Sequence, residues 1–164
     1  MYLGVDYYPE HWAPDMMEED LRRISEMGAN VIRIGEFAWH LMEKSEGCYD
    51  FSFFDKVIDC AKKYGLSVVF GTPTATFPAW LAAKYPSILS KDEYGHVRVF
   101  GGRRQYCYNS PVYRSYTEKI VEKLVSHYSG EEAVIAGQID NEFGHKGSVM
   151  SYCEECLRGF RQYL

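Results

Sequence analysis

The sequence predicts an α/β fold of the (β/α)8 TIM-barrel type, with residues 1–164 supplying about the first four βα units of one barrel domain. Four apolar, β-rich runs each precede a segment of helical periodicity. The runs are too uniformly apolar for a sheet with one wet face, so they read as parallel strands buried on both sides. A small open doubly wound sheet would have the same order of elements. Three observations favour the barrel. The runs end in chemically capable residues every time: Asp6, then Arg33 and Glu36, then Thr72 and Thr74, then Asn141 and Glu142. The first turn, "YYPEHWAPD", has no Gly and so no phosphate loop. Residues 75–109 are long, aromatic and basic, as a loop covering a site would be.

The elements follow in order. "YLGVDYYP" (2–9) is a short strand ended by Pro. In 15–28, Leu21, Ile24 and Met27 have helical spacing, with Asp15 as candidate N-cap and Gly28 as the stop. "ANVIRIGEF" (29–37) is the second strand. In 49–65, Phe54, Val57, Ile58 and Ala61 recur at i, i+3, i+4, i+7 before another Gly. "LSVVFGTPT" (66–74) is the third strand. Residues 110–128 form a long helix with Ser110 as cap and Pro111 at the first helical position. "AVIAGQI" (133–139) is the fourth strand, and 151–164 begin a fourth helix. A closed barrel takes about 250 residues, so 1–164 read as the front part of a longer protein, with two strand edges left open.

The net charge of −5 argues against a nucleic-acid or anionic-membrane partner. No apolar run approaches the roughly 20 residues of a membrane span. Met1 runs straight into the first strand with no secretory pattern, and five Cys cannot all pair, so a reduced, cytoplasmic setting is expected. Aromatics make up 16% of the chain, which suits either a sugar-stacking pocket or a Tyr-rich core. No Ser sits in a nucleophile elbow.

The fourth strand ends in "IDNEFG" (139–144). Turn chemistry accounts for Asp140, Asn141 and Gly144 but not for Glu142. Beside Phe143 at an apolar mouth, Glu142 should be desolvated and hold a proton, as a general acid needs. Its bland alternative is a loop cap or ion pair. Glycoside cleavage uses two carboxyl groups. Arg33 and Glu36 read either as pocket-floor residues or as a buried ion pair, and Asp6 and Tyr8 share that ambiguity. Trp39 and Trp80 suit sugar stacking or core anchoring. Arg104 reads as a solvated loop cation.

With "GVDYYPEHW", "RIGEFAW", "EGCYDFSFFD", "GTPTATFPAWL", "GGRRQYCYNSP" and "IDNEFG" in this order, nearly the whole chain resembles glycoside hydrolase family 42, the bacterial β-galactosidases. The resemblance implies a barrel enzyme that cleaves terminal β-D-galactosides with retention. Glu142 matches its general acid/base, Asn141 the residue that binds the sugar 2-hydroxyl, and Arg103 the pocket arginine. The nucleophilic Glu belongs to strand seven, beyond Leu164. Full-length relatives tend to be homo-oligomers, commonly trimers. A clan relative acting on arabinosides or β-glucosides, or a non-catalytic sugar-binding or zinc-stabilised module, remains an alternative.

Cys153 and Cys156 form a C-x-x-C at a helix start, a spacing that suits Zn²⁺. By the same resemblance, Cys107 joins them in a structural zinc cluster, with Ser151 standing where many members have a fourth Cys. Water or His145 would then complete the set. No cofactor is required for the chemistry. Cys48 and Cys60 read as ordinary thiols.

Overall fold

A computed structural model describes residues 1–144 and 150–164. Its centre is a four-stranded, wholly parallel sheet made of β1 (Gly4–Asp6), β2 (Val31–Ile34), β5 (Ser67–Gly71) and β6 (Val134–Gln138), lying side by side in that order. The connecting helices are α1 (Met17–Glu26), α3 (Ser52–Lys63) and α5 (Pro111–Tyr128). Strand, helix, next strand alongside is the βα repeat that the hydrophobic pattern predicts.

The helices cover one face of this sheet. Ile32 and Ile34 of β2 and Val68 and Phe70 of β5 point into that layer and are buried. They meet Leu21 of α1, then Phe54, Val57, Ile58 and Ala61 of α3, and the stripe Tyr113, Tyr116, Ile120, Leu124 and Tyr128 of α5. Each large apolar side chain so buried contributes about 1.5–3 kcal/mol before entropy is subtracted. The alternate residues Val31, Arg33, Ser67 and Val69 face the other side and are half-buried, while the edge strand β6 is mostly exposed. Burial on both faces is therefore not met within this chain. Its helices wall one side, and the concave side faces away from them.

Two glycines let the strand ends crowd together. A Cβ on Gly71 would lie 2.7 Å from the Glu36 Cβ, and Gly35 has φ +91° with Phe70 packed where its Cβ would stand. In β6 the register slips between the pairs Val68–Val134 and Val69–Ala136, so Ile135 is bulged out. Val68 and Val69 face opposite ways, so the bulge puts Ala136 and Gln138 on the concave face with Arg33 and Val69.

Several local expectations need correction. Ser110 does cap α5, its hydroxyl accepting from the Tyr113 N–H at 3.3 Å. Asp15 caps nothing. It lies inside the 3-10 turn Pro14–Met16, and α1 starts after Met16 without a side-chain cap. Met27 falls past the end of α1 and is exposed. The second βα connection holds structure that periodicity did not reveal, a helical turn α2 (Trp39–Met42) leading into a small hairpin of β3 (Glu43–Ser45) and β4 (Cys48–Tyr49). Residues 75–109 carry a short helix α4 (Ala79–Lys84) and the bridges Leu89–Tyr106 and Lys91–Val97. The segment expected to begin the fourth βα helix does form α6 (Glu154–Tyr163), but none of its residues is buried. It is tied to the 75–109 excursion instead, through the Tyr152 N–H to the Lys91 carbonyl at 2.9 Å and through the cysteines.

Candidate active site and thiol cluster

The strand ends meet at one mouth. From β2, the Arg33 guanidinium reaches Asp6 at 2.8 Å and Glu36 at 2.9 Å. Glu36 is fully buried and also accepts the Tyr8 hydroxyl at 2.8 Å, so it is a buried ion-pair partner as well as the floor of the mouth. Burial and this bond to Glu36 push the Tyr8 phenol up, which keeps it a donor at neutral pH. Arg33 also donates through Nη1 to Gln138 Oε1 at 2.6 Å, linking β2 to β6. Gln138 has no chemical motif around it in the sequence to mark it as a site residue. Its place beside Arg33 depends on a bulge with no local signature.

Beyond β6 the backbone makes an unusual turn. Asp140 and Glu142 both have positive φ, +57° and +47°, a conformation that costs about 1–3 kcal/mol per residue unless surroundings enforce it. Here they do. The Asp140 N–H donates to the Thr72 hydroxyl at 2.7 Å, and the Asp140 carboxylate accepts from the Asn141 N–H at 2.5 Å. The same carboxylate receives Arg104 Nη2 at 2.7 Å. Arg104 is no solvated cation. Its side chain is 1% exposed, it donates to the Tyr108 hydroxyl at 2.9 Å, and it lies 5.0 Å from the Phe143 ring centre. Locally, Asp140 reads as a turn residue and Arg104 as a loop cation, but the two form one buried ion pair. The partners are 36 positions apart, and only the fold joins them.

The turn delivers Asn141 and Glu142 to the rim. Arg103 Nη1 donates to Glu142 Oε2 at 2.8 Å, and the Arg103 guanidinium lies over the Phe37 ring at 4.3 Å. Arg103 and Glu142 are thus paired, with Asn141 adjacent to Glu142 in the chain. The apolar enclosure expected around Glu142 is not found, because its side chain is 57% exposed and Phe143 turns to Arg104 instead. Trp39 and Trp80 are structural. The Trp39 indole, wholly buried, donates to Glu43 Oε2 at 2.8 Å, and that of Trp80 donates to the Glu43 carbonyl at 2.9 Å. A groove of about 600 Å³ runs along α5 past Tyr113, Thr117 and Val121, and neither Asn141 nor Glu142 lines it.

The second constellation is the thiol cluster. The Sγ atoms of Cys107, Cys153 and Cys156 lie within 4.8 Å of one another, with Cys107–Cys153 at 3.0 Å and Cys107–Cys156 at 3.3 Å. Asn109 Nδ2 donates to the Cys156 sulfur at 3.4 Å. The Ser151 hydroxyl accepts the N–H groups of Cys153 and Lys91 at 3.4 and 3.3 Å, so it stands beside the cluster. Burial pushes the Cys107 thiol well up. Cys153 feels burial too, but its hydrogen bonding with Ser151, Cys107 and Cys156 outweighs it and holds that thiol below its usual range. Cys48 and Cys60 lie outside the cluster, and His145 lies outside the described residues.

Parallel βα units laid side by side with their helices on one face belong to the (β/α)8-barrel class, in which sites are built at the C-terminal strand ends. Residues 6–164 match the profile of glycoside hydrolase 42, described as beta-galactosidase, and the chain belongs to that family. It is 49% identical over 162 residues to a beta-galactosidase of Thermus thermophilus, spanning 99% of this chain and 25% of that protein. With the beta-galactosidase BgaH of Haloferax lucentense the identity is 41%, over all of this chain and 25% of that protein. Among solved structures, the beta-galactosidase of the psychrophilic Marinomonas ef1 superimposes with a TM-score of 0.94 at 41% identity, covering 99% of this chain and 25% of that one. The chain therefore spans about a quarter of the length of these relatives. No helix among the described residues is long and apolar enough to cross a membrane.

Proposed function

We propose that these residues are the acid/base side of a retaining glycosidase that removes terminal β-D-galactosyl groups. In this reading Glu142 is the general acid and base, Asn141 holds the hydroxyl next to the anomeric carbon, and Arg103 binds the sugar at the rim. Arg33 and Glu36 form the floor. The observation that carries the reading is the 2.8 Å pairing of Arg103 with Glu142 beside Asn141, at the strand end where a barrel does its chemistry. A general acid must hold a proton when substrate is bound. An exposed Arg–Glu pair contributes only about 0–1 kcal/mol, so it yields readily once a sugar hydroxyl takes the donors of Arg103. The second carboxylate, about 5–5.5 Å from the first in a retaining pair, is assigned to the part of the relatives' length that this chain does not span.

The test uses the full-length protein on 4-nitrophenyl glycosides, with proton NMR of the first sugar released. Turnover of the β-galactoside with β-galactose appearing first is expected. The α anomer first would overturn retention. Activity confined to a β-glucoside or an arabinoside would move the substrate to another sugar, and binding without turnover would make this a sugar-binding module.

A structural Zn²⁺ belongs to the same proposal. Three sulfurs converging within 4.8 Å, one of them with a depressed thiol, fit a thiophilic ion that lacks one protein ligand of the usual four. Cys107, Cys153 and Cys156 would hold it, and the ion would pin α6 to the 75–109 excursion. Protein purified without chelator should contain about one zinc per chain, a structural site being closed around a single ion, and Cys107→Ser should lose most of it. No metal bound after zinc supplementation would dispose of the site. A reduced cytoplasmic setting and a homo-oligomer, a trimer by family resemblance, complete the reading.

A further inference from the structure

We infer that Gln138 is a positioning residue that orients the Asn141 carboxamide, so that Asn141 meets the substrate as a hydrogen-bond donor. The inference rests on the reading of Asn141 as the residue that binds a sugar hydroxyl. The chain of reasons begins at Arg33, which can only donate. Its Nη1 lies 2.6 Å from the Gln138 side chain, so the group facing it must be the amide oxygen. The Gln138 NH₂ is thereby turned toward the 140–142 turn, where it donates to the Asp140 carbonyl at 2.7 Å and to Asn141 Oδ1 at 3.4 Å. The second bond is long and adds little strength, but it decides orientation. Reversing the Asn141 carboxamide would set two NH₂ groups against each other. Asn141 Oδ1 is therefore engaged, and Nδ2 is left to donate to a hydroxyl oxygen. Arg33 is itself fixed by Asp6 and Glu36, so the relay runs from β1 and β2 through β6 to the rim. The bulge at Ile135 is what brings Gln138 to the concave face where Arg33 can reach it.

The test uses the full-length enzyme with Gln138→Glu and Gln138→Leu, on 4-nitrophenyl β-D-galactoside and on its 2-deoxy analogue. Gln138→Glu keeps the shape and the acceptor for Arg33 but sets a carboxylate oxygen against Asn141, which then turns its carbonyl to the substrate. We expect kcat/KM on the galactoside to fall about tenfold or more, mainly in kcat, because the bond to this hydroxyl strengthens in the transition state. The 2-deoxy substrate should hardly register the change. Equal losses on both substrates, no loss on either, or failure of both variants to fold would overturn the inference, since each marks a structural or idle residue. Asn141→Ala on the same two substrates separates the levels. If it discriminates between them and Gln138→Glu does not, only the inference falls. If it does not discriminate, or if the unmodified enzyme cleaves neither substrate, the reading of Asn141 falls and takes the inference with it.

Discussion

In the full-length enzyme, Glu142→Gln is expected to lower kcat/KM on an alkyl β-galactoside by about 10²–10⁴-fold, the range that general acid–base catalysis spans. An alkoxide cannot depart unprotonated, and Gln has no proton to give. The loss should shrink steadily as the leaving group becomes more acidic and should nearly vanish in the glycosylation step for a dinitrophenyl galactoside, which needs no acid. With such a substrate the later step becomes limiting, because water has lost its base. Added azide, which needs none, should restore turnover and give the β-galactosyl azide. The Glu142 side chain is exposed and its ion pair with Arg103 lies at the rim, where such a pair contributes about 0–1 kcal/mol. A uniform loss across all leaving groups, without azide rescue, would remove Glu142 from the acid/base role.

The largest stability effect is expected at Asp140. Asp140→Ala in the full-length protein leaves the Arg104 guanidinium, 1% exposed, without its countercharge. Breaking one side of a buried pair costs about 3–5 kcal/mol, whereas replacing both partners with apolar groups is often nearly neutral. The single variant should therefore unfold at markedly lower denaturant than the double variant Asp140→Ala, Arg104→Met. The Met side chain retains the length of the Arg stem between Tyr108 and Phe143 and carries no charge to strand. Activity should still fall in both, because the Asp140 carboxylate also holds the Asn141 N–H and with it the left-handed turn that delivers Glu142. A double variant as unstable as the sum of the two singles would show that the pair is not one unit.

These two residues mark where reading the sequence succeeds and where it stops. Glu142 stands out because it closely follows a β-branched run and has no turn chemistry to explain it, and both facts are local. Arg103 and Asn141 were reached through motif resemblance, and the fold does bring them to Glu142. Arg104 looked like its neighbour Arg103, yet one is buried against Asp140 and the other lies at the rim. Nothing within a few residues of either distinguishes them. Trp39 and Trp80 were open to a sugar-stacking role until the buried Glu43 appeared between them as the common acceptor of their indole N–H groups.

The order of the four parallel strands and their main helices, the helical stripe of α3, the Ser110 cap and the polar strand ends were all determined by the sequence alone. Each is a matter of spacing over a turn or two of chain, where periodicity maps directly onto which face is apolar. Only the tertiary structure decided that Ile135 is bulged, that Gln138 joins Arg33, that Arg104 is buried and that α6 lies off the core against Cys107. All four depend on partners dozens of residues away. In a parallel sheet, register and burial are set by what the neighbouring strand and its loops supply, and local spacing carries no record of that.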